Sequence, residues 1–548
     1  FSDATFLRVI RNTLAMGVIN LVVTFVMAIV FAILLNEVKS QGGKKVVQTI
    51  SYLPHFLSWI IVTGILHDAL SGTGIINELL VNFGILDQPL NFFAYPKYFW
   101  PIVAFANVWK ETGWNAIIYL SAITAIDPSL YEAANMDGAG RWARIKYVTL
   151  PGIKPTIMIL LLMNVGNVLN AGFEIQYLLG NGLVQSVSQT IDIYVLKWGI
   201  SQNDFSIGTA AGIFKSLVSI ILIVIANQIA KRNGEERLFL GGIGMEAVTT
   251  KRRKSRKKTS VADKVFVTLN TLFMIMFVII TLYPVLNTLA ISLNDGTDAL
   301  RGGIYLLPRK FTWKNYITVL QKDNLIMGAY ITVARTVIGT ALALFANAIL
   351  AFIVSRKRFM FKKQLSLFWV ITMYVNGGMI PTFLLFKTLH LTNSFWVYVI
   401  PGMFSAFNML VIRTYMNGIS DSLEESAQLD GAGYTTIFLK IISPLCKPVY
   451  ATVALFVAVG QWNSWFDAML YNRMSANLTT LQYELMKLLS SVTNQGNSVE
   501  AMKNAAGSVT PTSVRAAATI LTMLPIICLY PFLQRYFVTG LTIGGVKE

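Results

Sequence analysis

Eleven stretches of mostly apolar residues, each close to the length that crosses hydrocarbon, confine this chain to helices in a membrane. They lie near residues 12–36, 49–70, 99–123, 155–179, 207–230, 262–291, 328–354, 364–388, 394–414, 447–470 and 513–536. A helix needs about 20 such residues to cross a hydrocarbon core of about 30 Å, so the fold class is all-α, a polytopic transmembrane helical bundle. Composition agrees: 54% of residues are hydrophobic and only 13% charged, more apolar surface than a soluble domain of this length needs. A net charge of +18 would suggest nucleic acid in a soluble protein. Here the cations sit beside the apolar stretches, at Lys39, Lys44 and Lys45, at Arg141, Arg144 and Lys146, at Lys231 and Arg232, and at Arg356, Lys357, Arg358, Lys362 and Lys363. Eleven alternating spans place all of these on one side, which the positive-inside rule makes the cytoplasm; nucleic acid is not an expected partner. Cys446 and Cys528 form no CxxC and no disulfide framework.

One short hydrophilic cassette occurs twice. Glu132-Ala133-Ala134-Asn135-Met136-Asp137-Gly138-Ala139-Gly140 returns as Glu425-Ser426-Ala427-Gln428-Leu429-Asp430-Gly431-Ala432-Gly433, and Pro151 and the Lys154-Pro155 pair return as Pro444 and Lys447-Pro448. A constant offset of 293 residues aligns them without a gap. A polar segment recurring between apolar stretches implies two homologous halves that present equivalent surfaces on one side of the membrane. We expect a first half over 1–239, a glycine-rich and basic junction over 240–260, and a second half over 261–548. The junction holds Gly241-Gly242-Ile243-Gly244, an initiator-like Met245 and the run Lys251 to Lys258, the composition of a flexible linker or of two joined polypeptides. The halves carry about 5 and 6 spans, and the missing one is most economically placed ahead of Phe1. The loops 71–98, 292–327 and 471–512 fall outside, the last as an external cap or a mobile lid.

Asp127-Pro128-Ser129 and Asp421-Ser422 suit a helix N-terminus, with Glu132 and Glu425 in an early turn. Glycine tolerates positive φ, so Gly138-Ala139-Gly140 and Gly431-Ala432-Gly433 are expected to turn the chain sharply into a second amphipathic segment. The product is a short, rigid helix-turn-helix that another protein can push. An ordinary interfacial hairpin explains one copy, but two copies at equivalent positions argue for paired docking.

The pattern Glu-Ala-Ala, three residues, Gly, nine residues, then an aliphatic residue two before Leu-Pro is similar to the EAA loop of the membrane permeases of ATP-binding-cassette importers. The first copy fits through Val148-Thr149-Leu150-Pro151, and the second departs at Ser426 and Ser443. Residues 1–239, through Gln48 to Phe56 and Gly166 to Glu174, resemble the first permease of the polysaccharide or complex-oligosaccharide uptake pair. Residues 245–548 resemble its partner, through Leu282-Tyr283-Pro284, Ala290 to Asp295, Trp462 to Asp467 and Tyr530 to Phe537. The resemblance implies a type I ABC importer fold and a permease rather than an enzyme, in the bacterial plasma membrane. It also implies a coupling contact formed by Glu132, Ala133, Asp137, Gly138, Gly140, Glu425, Asp430, Gly431 and Gly433. The implied partners are a cytoplasmic ABC ATPase dimer, which holds ATP and Mg, an extracytoplasmic solute-binding protein, and an oligosaccharide. No cofactor is expected in this chain: GxxxxGK[ST] is absent, and no histidine, cysteine and carboxylate cluster suggests a metal.

The offset pairs Asn170 with Asn463, Phe173 with Phe466 and Glu174 with Asp467. These lie about 15 to 20 residues beyond the Lys-Pro pairs, roughly 22–30 Å along a helix. Polar groups at that depth are costly unless they face protein or water, so they mark a pathway. The expected substrate path is Asn167, Asn170, Glu174, Tyr177, Gln461, Trp462, Asn463, Trp465 and Asp467, which offer amides and carboxylates for sugar hydroxyls and rings for sugar C–H faces. An aromatic belt with interhelical amide bonds explains the same residues structurally. Trp109, Lys110, Glu111, Trp114 and Asn115 form a second polar-aromatic group, whereas His55 and His390 read as isolated interfacial or core residues. Rival readings are an ion-gradient-driven secondary transporter using Glu174 and Asp467, a membrane-embedded enzyme, and an importer for a non-sugar solute.

Overall fold

The computed structural model describes residues 3–232, 261–374, 377–495 and 509–543. The junction's glycines, Met245 and basic run, and residues 496–508 of the expected cap, lie outside the described residues. What is described is helical, apart from loops and one isolated antiparallel bridge between Asn294 and Phe311. Seven described helices are long and apolar enough to cross a membrane, and nine spans result if each of two bent pairs counts as one, Phe395–Gly402 with Ala406–Asn417 (45°) and Tyr434–Leu445 with Lys447–Asn463 (81°).

The helices form two compact units. Among described residues the first runs to Trp313 and includes 509–517, and the second runs from Lys314 to 495 and resumes at Ala518. The first holds α1 (Ala4–Asn36), α2 (Gln41–Tyr52), α3 (Trp59–Leu70), α4 (Pro96–Thr124), α5 (Pro128–Met136), α6 (Leu150–Gly166), α7 (Phe173–Leu179), α8 (Phe205–Arg232) and α9 (Val261–Ser292). The second holds α10 (Asp323–Ser355), α11 (Lys362–Tyr374), α12 (Met379–Thr388), α13 (Ala406–Asn417), α14 (Asp421–Leu429), α15 (Lys447–Asn463), α16 (Phe466–Tyr471), α17 (Leu481–Gln495) and most of α18 (Pro511–Ile543). Sequence repetition puts α9 at the start of the second half, yet it packs in the first unit. Asn270 donates to the Leu34 carbonyl at 2.9 Å, Trp109 donates to the Ile280 carbonyl at 3.1 Å, and the Phe31 and Phe277 rings lie 4.5 Å apart.

Burial in α1 is inverted relative to a soluble helix. Leu14, Val18, Val22, Val26 and Val30, one every four residues, are exposed, while Asn12 and Thr13 are fully buried. Such a stripe faces lipid at no cost, and the buried polar groups bond between helices. Asn12 donates to the Ser186 and Gln189 carbonyls at 3.0 Å each, and Thr13 Oγ1 accepts from the Ile191 amide at 3.0 Å.

Five expected spans are interrupted; two of them are 394–414, between Gly402 and Ala406, and 447–470, between Asn463 and Phe466. The 49–70 stretch breaks at Leu53–Phe56, a 3₁₀ turn with Pro54 at its start, and 364–388 divides into α11 and α12. The 155–179 stretch stops being helical at Gly166 and resumes at Phe173, with Gly172 at φ 85°, a conformation that suits glycine.

The loop after α9 is tied into a knot. Asp295 caps a short helix by accepting from the Thr297 and Asp298 amides at 3.0 and 3.2 Å, and buried Asp298 accepts from Asn294 Nδ2 and Arg309 Nε, both at 3.0 Å. Both carboxyls are held below the usual range, Asp295 foremost by the Thr297 hydroxyl and Asp298 foremost by the Asn294 amide, with Arg309 adding to it. A depressed folded pKa gives stabilisation that is present above the ordinary carboxyl value of about 3.9 and lost as pH falls through the folded value. The knot should therefore hold at neutral pH and open only in acid below that value. Amide-exchange protection at Asp295 and Thr312, whose N–H groups donate to the Lys310 and Leu293 carbonyls at 2.8 Å, should be flat from neutral pH down to about 4 and then collapse. Loss of protection near pH 6 would contradict this.

Candidate functional site

The two cassettes fold alike, bond by bond. α5 and α14 each span nine residues, capped by Asp127 and Ser420. Each ends in a glycine at positive φ, 81° at Gly138 and 79° at Gly431. The next amide then reaches back five residues, from Ala139 to the Ala134 carbonyl and from Ala432 to the Ala427 carbonyl, at 2.9 Å in both. This is the closure that a left-handed C-terminal residue allows. The chain restarts after Gly140 and Gly433, with Arg144 and Ile437 donating to those glycine carbonyls at 3.0 Å. A π-helical segment follows in each copy, Ile145–Thr149 and Ile437–Ile442.

The elbows present apolar side chains to solvent. Met136 is 84% exposed and Leu429 89%, with Leu130 and Leu423 at the other end of each helix also exposed. Glu132, Ala133, Asp137, Gly138 and Gly140, and Glu425, Asp430, Gly431 and Gly433, are exposed as well. A large apolar residue raised on a rigid, polar elbow is the form of an interface anchor.

In the first unit, the non-helical stretch after α6 faces a pocket of about 240 Å³. Asn20, Asn107, Asn115, Asn164, Asn167 and Asn170 all line it. Asn107, Asn164 and Asn167 donate to the carbonyls four residues earlier at 2.8–3.1 Å, and Asn170 donates to Asn167 Oδ1 at 3.1 Å. Asn20 Oδ1 and Thr24 Oγ1 on the same wall are buried without a protein partner. The closeness of α1 to this stretch depends on Gly17, where a Cβ would meet the Val168 carbonyl oxygen at 1.9 Å. Tyr177 is elsewhere, stacked on Phe173 at 5.5 Å and lining a separate cleft with Gln176 and Asn181. Glu174 opens α7 and interacts electrostatically with Lys110.

The matching residues of the second unit are engaged in packing. Arg335 of α10, 2% exposed, grips both Asp467 oxygens at 3.1 and 2.5 Å, donates to Gln461 Oε1 at 2.8 Å, and lies 4.4 Å from the Tyr398 ring centre. Gln461 also donates to the Tyr398 carbonyl at 3.1 Å, and Trp462 Nε1 to the Thr522 carbonyl at 3.1 Å. Asn463 accepts from Gln482 at 3.4 Å, and Trp465 is fully buried. So Asn167 and Asn170 share a pocket, whereas Gln461, Trp462, Asn463 and Asp467 are half-buried and hydrogen-bonded to protein and Trp465 is buried. His55 is not isolated: its Nδ1 lies 2.8 Å from Glu111 Oε2, and its ring stacks on Trp114 at 4.3 Å. Lys110 holds the neighbouring 3₁₀ break by donating to the Pro54, His55 and Leu57 carbonyls at 3.3, 2.5 and 2.8 Å.

Sequence reasoning missed Arg335, Asn20, Asn107 and Asn164. The available signal was position: an arginine and single amides inside otherwise apolar stretches are costly there and call for partners.

Residues 24–234 match the family described as binding-protein-dependent transport system inner membrane component. Over 240 residues, 44% of this chain and 74% of the relative, the chain is 45% identical to the polygalacturonan/rhamnogalacturonan transport system permease protein YteP of Bacillus subtilis. It is 33% identical over 276 residues, 50% of this chain and 96% of the relative, to the permease protein YtcP of the same system and organism. A solved bacterial ABC transporter involved in import of the acidic polysaccharide alginate is 41% identical, covering 42% of this chain and 81% of that chain, at a TM-score of 0.41.

Proposed function

Because the chain belongs to the family of inner membrane components of binding-protein-dependent transport systems, we propose that it is the translocation pathway of an ABC importer for oligosaccharides, with both permease halves in one polypeptide. It is a multi-pass membrane protein and a transport permease. The observation that carries the proposal is the duplicated elbow: two nine-residue helices with the same glycine turn and the same exposed apolar tip.

In this reading each elbow seats in one subunit of a cytoplasmic ATPase dimer, which supplies ATP, Mg and hydrolysis. The chain lies in the bacterial cytoplasmic membrane with both elbows inward. An extracytoplasmic binding protein delivers the sugar. Closure of the ATPases on ATP draws the elbows together and opens the path outward, and hydrolysis reverses it. The asparagine pocket fits the cargo, since carboxamides donate to and accept from sugar hydroxyls alike. The names of the relatives favour polygalacturonan, rhamnogalacturonan or other polysaccharide fragments. The ion-driven reading loses support because Asp467 is already paired with Arg335.

The test is ATP hydrolysis by this chain reconstituted with its ATPase and binding protein, with and without oligosaccharide. Wild type should be stimulated by sugar, and Glu132→Ala combined with Glu425→Ala should lose that stimulation. Equal, sugar-independent rates in both would overturn the proposal.

A further inference from the structure

α1 in the first half and α10 in the second each end next to an elbow, and the two ends carry opposite charge. α1 and α10 each have 33 residues, and the tenth residue of each is a buried threonine whose Oγ1 accepts a backbone amide, Thr13 from Ile191 at 3.0 Å and Thr332 from Leu481 at 2.9 Å. They are structural equivalents, and their C-caps are Glu37 and Arg356. A carboxylate at the negative end of a helix is unfavourable by itself, whereas a cation there is favourable. Glu37 is stabilised by a partner beyond the elbow: Arg141 Nη1 lies 3.3 Å from it, and Arg141 Nε lies 3.7 Å from Asp263 of α9. α5 itself bonds to its own downstream segment, through Asn135 to Arg144 at 2.9 Å and Tyr131 to Thr149 at 3.0 Å.

Arg356 reaches a different target. It pairs with Glu424, and Lys357 pairs with Asp421, both in the first turn of α14 itself. The Arg356–Glu424 pair is only 12% and 15% exposed, so salt screens it weakly; Lys357–Asp421, 78% and 49% exposed, adds little. Gln428 secures Glu424 from the next turn at 3.1 Å.

Building on the function proposed above, we propose that Glu37 and Arg356 are positioning residues, charge-inverted latches that make the two elbows mechanically unequal. α14 is bolted to α10 and moves with it as one piece. α5 is tied instead to its own downstream segment, through Asn135 and Tyr131, and Arg141 in that segment passes the motion to α1 and α9 together.

Spin labels at the offset-matched Ser129→Cys and Ser422→Cys, in the full chain with Cys528→Ser and without ATPase, test this directly. Arg356→Gln should mobilise the label at 422, and Glu37→Gln should leave the label at 129 unchanged. Both labels responding alike, or neither responding, would overturn the proposal. With ATPase and binding protein present, Arg356→Glu should lower sugar transported per ATP hydrolysed about tenfold, within the range of coupling energies between sites, and Arg356→Glu with Glu424→Arg should restore it. A swap that restores nothing overturns the latch. Label mobility requires no ATPase, so its failure is distinct from an absence of sugar-stimulated hydrolysis in wild type, which would overturn the function itself.

Discussion

Arg335→Met should destabilise the second unit by about 3–5 kcal/mol, the cost of leaving a paired charge without its partner in a low-dielectric interior. The substitution removes both Nη contacts to Asp467 and the donor to Gln461, and it empties the space over the Tyr398 ring. Arg335→Lys should recover little, since an ammonium supplies neither the two-pronged grip nor the flat stack. Arg335→Met combined with Asp467→Leu should recover much of the loss, because replacing both charges removes the stranded carboxylate. Thermal unfolding in detergent, read with a thiol-reactive dye, is a direct measurement: Cys446 is buried and reports unfolding, and exposed Cys528 gives a constant background. Equal midpoints for wild type and Arg335→Met, or for the single and double variants, would show that the pair does not hold the unit together.

Met136→Asp with Leu429→Asp should abolish stimulation of the ATPase while leaving the chain folded. Both side chains are more than four-fifths exposed, so the permease loses no packing. The partner's pockets would instead receive charges that they must desolvate. Interface anchors of this type are worth about 2–4 kcal/mol each when removed, which predicts a loss of ATPase affinity of roughly thousandfold or more for the pair. Met474→Asp is the control, because Met474 is 88% exposed but far from either cassette in sequence. Co-purification of the ATPase and sugar-stimulated hydrolysis should fall together in the double variant and stay unchanged in the control. Retained co-purification would mean that the exposed tips are not the docking anchors.

The elbows were legible in the sequence because their information is local. A capping group, an early glutamate and a glycine eleven residues after the cap dictate a short helix and its turn, whatever surrounds them. The repeat then carried that reading from one half to the other. The pocket was half legible: Asn167 and Asn170 stand next to the helix break that exposes them, whereas Asn20 and Asn107 come from α1 and α4 and reach the same wall only after those helices pack. The offset aligned Asn463 and Asp467 with the first half, but α10 carries Arg335 where α1, at the equivalent position, carries Met16. That single change commits Asp467 and Gln461 to packing.

The sequence by itself determined that the chain is an all-helical membrane bundle carrying two matching elbows, because apolar length and short-range spacing act within one segment. Only the tertiary structure decided that Asp467 belongs to Arg335, that six asparagines share one pocket, that α9 packs with the first unit, and that the two elbows are latched by opposite charges. Those outcomes rest on contacts between residues as many as 132 apart in the Arg335 pair and 236 apart in the Asn270 bond. Such pairings leave no periodic trace in the chain, because they depend on which helix faces meet.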